Sequence, residues 1–203
     1  DCAQPVSTMT KSALVLRDVD LWAKMSKQNT GRVTVTLVTL DDALAKDLEP
    51  RAASPARRLR IIRELVKAGV QVNVNIAPVI PGLTDKEMPA ILEAVADAGA
   101  RRVAWVMLRL PYQLKELFLD WLQRCVPLRA DHVESLIRQV HDGKLYKANL
   151  AVRRRGRGQI ADHVSKVFDV FTRKHGLNRD VRPMRRDQFR RPSLNGQMSL
   201  FKD

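Results

Sequence analysis

Lys11, Thr36, Thr39, Asn75, Pro78 and Arg109 each stand at or near the C-terminal end of a stretch that reads as a β-strand. An ammonium, hydroxyls, an amide and a guanidinium suit the holding of a zwitterionic or phosphorylated small molecule by charge-assisted hydrogen bonds. They make a poor hydrolytic set. Lys11 and Arg109 read equally well as solvated strand-end charges. The histidines His132, His141, His163 and His175 all fall in the C-terminal helical region without metal-ligand spacing, so they read as helix-surface residues. Cys125, in an apolar helical context, reads as a buried packing residue. Glu49 and Arg51 read as a surface pair across the Pro50 turn, which would be weak in water.

The elements that must position these residues alternate along the chain. Val70, Val72, Val74 and Ile76 share one face of a stretch whose other face is Gln71, Asn73 and Asn75, the period of a strand. A strand of a parallel sheet is normally apolar on both faces, so the asparagine face implies a polar cavity; an edge strand facing water alternates in the same way. Thr84 and Glu87 have the spacing of a capping box, which predicts a helix directly after the Pro78–Gly82 turn. Further strands are predicted over residues 5–10, 33–39 and 102–108. Helices are predicted over residues 14–25, from Asp41 to about Glu49, and over 54–68 and 85–98. Ser12 and Ser54-Pro55 supply caps and Gly69 and Gly99 supply stops. The order β-α-β-α-β-α-β argues for parallel strands curling toward a barrel, in which working residues stand at the C-terminal strand ends. Residues 112–125, 131–141 and 159–175 read as helices. The remainder of the chain is Arg-rich and without apolar period, and reads as largely disordered. The organisation expected is therefore a barrel part at 1–111, a helical extension at 112–178 and a basic flexible tail at 179–203.

The 203 residues carry a formal net charge of +14 and a pI near 10.5. Residues 151–192 hold 13 Lys and Arg against 4 Asp and Glu, a net of +9, so the excess is concentrated near the C-terminus. This favours a polyanionic partner, with the run Arg153, Arg154, Arg155 and Arg157 as the candidate nucleic-acid contact. The two cysteines, Cys2 and Cys125, form no C-x-x-C pair, which reads as a reducing, cytoplasmic setting, and no run approaches transmembrane length. The chain opens on Asp1 and enters a strand almost at once, which reads as a protein lacking its natural N-terminal part.

The run Leu48-Glu49-Pro50-Arg51-Ala52, then Arg58-Leu59, Ala68-Gly69-Val70 and Ala77-Pro78-Val79-Ile80-Pro81-Gly82-Leu83-Thr84-Asp85, resembles the radical SAM superfamily. More narrowly, it is similar to the branch related to spore photoproduct lyase, often described as DNA-repair-photolyase-like. Thr10-Lys11-Ser12, Leu108-Arg109-Leu110-Pro111 and Gly143-Lys144-Leu145-Tyr146 extend the likeness to about residue 175. The resemblance implies an α/β fold, a partial (β/α)6 barrel of parallel strands in which the four strands here are the third to sixth. It implies a [4Fe-4S] cluster that cleaves S-adenosylmethionine to a 5'-deoxyadenosyl radical, with nucleic acid as the expected substrate of a lyase-like repair reaction. By similarity Lys11 holds the methionyl carboxylate, Thr36 contacts the same cofactor and the Asn75 to Pro78 strand end flanks its adenosine; Arg109 joins these cofactor-binding candidates from the strand-end set. The family's C-x3-C-x2-C cluster motif is absent from this chain, so the cluster belongs to an intact protein and residues 1–203 alone are expected to be inactive. The alternative is a non-enzymatic nucleic-acid-binding protein derived from that fold.

Near the C-terminus, Gln197-Met198-Ser199-Leu200-Phe201 resembles the pentapeptide by which bacterial repair and replication proteins dock on the sliding clamp. Met198, Leu200 and Phe201 would enter an apolar pocket and Gln197 would add a directional hydrogen bond.

Overall fold

The computed structural model describes residues 3–146, 148, 154–179 and 182–190. Four strands, β1 (Val6–Thr10), β2 (Gly31–Leu37), β3 (Val72–Val79) and β4 (Arg102–Met107), form one sheet in sequence order, every neighbouring pair parallel. Between them run α1 (Val19–Lys27), α2 (Asp42–Leu48), α3 (Pro55–Lys67) and α4 (Met88–Asp97). Among the described residues three α-helices come after β4, namely α5 (Leu114–Cys125), α6 (Ala130–Val140) and α7 (Gln159–Lys174). The predicted alternation and fold class hold: this is an α/β chain whose parallel sheet is part of a barrel wall.

Alternation decides which face is covered. Val33, Val35 and Leu37 of β2, Val72, Val74 and Ile76 of β3, and Val103 and Trp105 of β4 are buried against Ile61, Ile62 and Leu65 of α3, Ile91, Leu92 and Val95 of α4, and Val164 and Phe168 of α7. Each such side chain contributes roughly 1.5–3 kcal/mol by leaving water, so this face holds the sheet and helices together. A second core lies beyond the strand ends. There Ile80, Leu83, Leu108 and Leu110 meet Leu122 of α5 and Val133 and Ile137 of α6, with Leu44 and Leu48 of α2 against them. The outer edge of β4 is closed by side chain and loop. Asn178 exchanges two hydrogen bonds with the Val103 backbone at 2.8 and 2.9 Å, and the Met107 N–H donates to the Arg154 carbonyl at 2.8 Å. Both supply what a further strand would supply.

Local chemistry sets the boundaries. Ser12 and Ser54 cap as predicted, through Leu14 N and Arg57 N, but Ser12 caps a 3-10 segment, Ala13–Asp18, that precedes α1; Asp41, predicted to begin a helix, caps α2 through Ala43 N and Leu44 N. After α3, the Val70 N–H returns to the Leu65 carbonyl and Gly69 N–H to Val66 with Gly69 at φ +81°, so Val70 belongs to the helix cap and β3 starts later than predicted. Between Ile76 and Val79 the β3–β4 register slips by one residue, at Pro78, which has no N–H to give to a ladder.

Several readings are corrected by tertiary partners. Thr84 and Glu87 do not form a capping box: the Thr84 hydroxyl accepts from Ile80 N at 2.9 Å, while the Glu87 carboxylate accepts from the Thr39 hydroxyl and Leu40 N at 2.7 and 2.8 Å. A 3-10 turn, Asp85–Glu87, precedes α4. Cys125 is exposed, not buried: it is the last residue of α5, where the helix leaves the second core. His141 is not a surface residue: it is 2% exposed and its Nε2 lies 3.0 Å from the Leu108 carbonyl, pinning the end of α6 to the loop after β4. Glu49 does not face Arg51 but binds Lys11 and Arg58. The expected free tail is narrowed by contacts at residues 182–185. Asn29 Nδ2 donates to the Pro183 carbonyl, Arg185 N to Asn29 O and Arg32 Nη2 to the Arg182 carbonyl, at 2.8, 2.9 and 2.9 Å.

Candidate functional site

The sheet face opposite the helices is polar. Thr34, Asn73 and Arg102 stand in register across β2, β3 and β4, and two residues further on so do Thr36, Asn75 and Ala104. Thr34 and Thr36 are buried and Asn73 and Asn75 half-buried, while Ala104, in the middle of a strand, is exposed. The Asn73 and Asn75 amides have no hydrogen-bond partner among the described residues. This makes an open shelf of unspent donors and acceptors, as the asparagine pattern predicted for a polar cavity.

Lys11 joins that shelf through an ionic chain. Its ammonium binds Glu49 Oε1; Glu49 Oε2 accepts from Arg58 Nη2; and Arg58, 1% exposed, also donates to the carbonyls of Ala53 at 2.8 Å and Thr36 at 3.0 Å. The ends of β1 and β2 are thereby tied to the Glu49-Pro50-Arg51-Ala52 turn. Lys11, Ser12 and that turn line a cavity of about 420 Å³. With Glu49 accepting one of its three donors, the Lys11 ammonium keeps donors for a carboxylate ligand. Pro78 lies three residues beyond Asn75 on the same strand and is half-buried. Arg109 comes directly after Leu108, whose N–H donates to the Val79 carbonyl at 2.9 Å, so it sits beside the β3 end with a buried Nε that lacks a partner among the described residues. Thr39, grouped with Thr36 from sequence, is fully buried and spent on Glu87.

The structure thus brings Thr36 and Asn75 together by register, joins Lys11 to Thr36 through Glu49 and Arg58, and sets Arg109 next to the β3 end. Sequence reasoning assigned no role to Arg58. Its signal was an arginine nine residues after Glu49, on the apolar side of a helix. In the basic run, Arg154, Arg155 and Arg157 are all exposed, and the Arg155 guanidinium stacks over the Trp105 ring at 4.3 Å. Burial holds that guanidinium below its ordinary pKa, against the pull of Asp169. Arg153 and Gln197, Met198, Leu200 and Phe201 lie outside the described residues.

Residues 4–95 match the Radical SAM superfamily, a span that runs from before β1 into α4 and contains Lys11, Thr36, Asn75 and Pro78. Over 137 residues, 66% of this chain, the sequence is 34% identical to an uncharacterized protein of Mycobacterium tuberculosis, aligned with 40% of that protein. It is 33% identical over 104 residues to an uncharacterized protein of Acidianus two-tailed virus, covering 49% of this chain and 34% of that one. It is 38% identical over 82 residues to an uncharacterized protein of Methanocaldococcus jannaschii, covering 40% and 30%. The matched region spans less than half the length of these relatives. Fold and match together associate residues 4–95 with S-adenosylmethionine-dependent radical chemistry in general.

The two cofactors of that chemistry fit this chain differently. A cluster held by C-x3-C-x2-C needs three thiolates, and the sequence contains two cysteines, Cys2 and the exposed Cys125. Among the described residues no group of three or more His, Cys, Asp or Glu could hold a metal ion. These residues alone do not fit the cluster. On the inner sheet face the Asn75 amide, without a partner among the described residues, and the exposed Ala104 leave hydrogen-bonding capacity unspent. Among the described residues no helix is long and apolar enough to cross a membrane.

Proposed function

We propose that residues 4–111 form the S-adenosylmethionine-binding part of a radical SAM catalytic domain, of the spore photoproduct lyase-related branch, whose cluster thiolates come from outside these 203 residues. The observation that carries this reading is the polar shelf of Thr36, Asn75 and Ala104 in register, with Lys11 tethered beside it. When bound, the cluster supplies the electron that cleaves the sulfonium and yields a carbon radical. The residues here bind and orient: Lys11 takes the carboxylate of the amino-acid moiety, Thr36 and Asn75 hold the remainder, and the Pro78 strand end flanks the adenosine. Glu49 and Arg58 position Lys11. Nucleic acid is the proposed substrate class, favoured by the net charge of +14 and the exposed Arg154 and Arg157. The same features favour, as the second reading, a binding protein without catalysis.

The gene product purified anaerobically, loaded with iron and sulfide and given S-adenosylmethionine and dithionite, separates the two. The proposal expects 5'-deoxyadenosine by chromatography, in greater yield when DNA is added, and none from residues 1–203 alone. A cluster-loaded protein that forms none leaves the binding reading; a yield indifferent to DNA removes the substrate assignment.

A further inference from the structure

At the opposite, N-terminal ends of the strands a cavity of about 530 Å³ is lined by Arg32, Arg101, Arg102 and Arg182, with Gln71 and Asn73 and an apolar wall of Val66, Val70 and Val72. None of the lining residues is acidic. Arg32 is 9% exposed; its Nη2 donates to Gln71 Oε1 at 3.2 Å and the Arg182 carbonyl at 2.9 Å, but its Nε is buried with no acceptor among the described residues. Arg102, in register with Asn73, has a buried Nη1 in the same condition. Burial first, and then the charge of Arg102, hold the Arg32 guanidinium below its ordinary pKa. Two guanidiniums facing one cavity, each with a buried N–H unspent, destabilise the protein through repulsion and through desolvation of about 1–3 kcal/mol per orphaned donor. One group answers both costs: an anion with several acceptor oxygens.

We propose that this cavity is a binding site for the terminal phosphate of a small molecule, held by Arg32 and Arg102 with Arg101 and Arg182 at the rim. The volume suits a ligand of up to nucleotide size, and the valine wall suits an apolar or ring portion attached to the phosphate. A terminal phosphate fits better than a strand backbone, because it offers three oxygens to donors on different sides and because Arg182, whose carbonyl is bonded to Arg32, closes one side of the cavity. Gly69 and Gly99 border it: no atom lies within 4 Å of a Cβ placed on Gly69, whereas one on Gly99 would meet Val66 Cγ1 at 2.9 Å.

Thermal melting and calorimetry on residues 1–203 test this with inorganic phosphate, a nucleoside 5'-monophosphate, chloride at matched ionic strength, and a single-stranded oligonucleotide without terminal phosphate. Phosphate and the monophosphate are expected to raise the melting temperature as ligands of the folded state, and chloride to leave it unchanged. The Arg102 side chain makes no hydrogen bond among the described residues, so Arg102→Gln is expected to melt no lower than wild type without ligand and to bind phosphate at least tenfold more weakly. Equal affinity in Arg102→Gln, or equal stabilisation by phosphate and chloride, overturns the proposal. Binding of the oligonucleotide but of neither small phosphate also overturns it. Should Arg102→Gln fail to fold, the wild-type comparison of phosphate with chloride decides alone.

Discussion

Arg58→Met is expected to destabilise the protein by about 3–5 kcal/mol, the range for breaking a buried, hydrogen-bonded ion pair from one side. Methionine keeps most of the aliphatic volume, so packing changes little. What is lost is the planar fork that donates to the Glu49 carboxylate and to the carbonyls of Ala53 and Thr36. Glu49, whose side chain is 12% exposed, then keeps Lys11 as its only cationic partner among the described residues, and that lysine side chain is 42% exposed. For a chain of this size the loss corresponds to a melting temperature lower by on the order of 10 °C. Arg58→Lys retains the charge but not the three-way geometry and is expected to fall between. A change of under about 2 °C in Arg58→Met would show that the Glu49 pair is not what ties the β1 and β2 ends together.

A comparable loss, about 3–5 kcal/mol, is expected for Trp105→Ala. Trp105 is 2% exposed, stands in register with Ile76, and meets the Phe168 ring of α7 at 6.4 Å between centroids. Its removal opens a cavity where β4, β3 and α7 join, and it strips Arg155 of the ring beneath its guanidinium, worth about 0.5–2 kcal/mol. Denaturant unfolding followed by circular dichroism measures it. Trp105→Phe is expected to lose less than half as much. If the alanine variant unfolds with the wild-type midpoint, α7 is not part of the cooperative core.

Much of this architecture was readable from residue patterns. The alternation from Val70 to Ile76 identified β3 and its polar face, and the place of β3 between β2 and β4 excludes the edge-strand reading that the same alternation allowed. Ser12, Asp41, Ser54 and Gly69 announced their helix ends because caps are local chemistry. Several of the misreadings, those of Glu87, His141 and Glu49, concern a residue whose partner is far away in sequence. Thr84 and Glu87 satisfied a local motif but are used by Ile80, Thr39 and Leu40. His141 is buried because α6 folds back onto Leu108. Arg58, Arg32 and Arg102 each sit in an ordinary helix or strand pattern, where residue type alone does not distinguish a buried guanidinium from a solvated one. Phase was the available signal: Arg32 stands two residues before Thr34, and Arg102 two before Ala104, on the inner face.

The central claim is that the inner sheet face at Thr36 and Asn75 receives S-adenosylmethionine. The Asn75 side chain has no hydrogen-bond partner among the described residues, so Asn75→Leu leaves no protein group orphaned and is expected to fold with nearly wild-type stability while filling the shelf with an apolar branch. Titrate S-adenosylmethionine calorimetrically into residues 1–203 and into the Asn75→Leu protein. The account predicts one site per chain in the wild type and at least a tenfold weaker one in the variant, about 1.4 kcal/mol or more. No binding by the folded wild-type chain, or the same affinity in both, would contradict it.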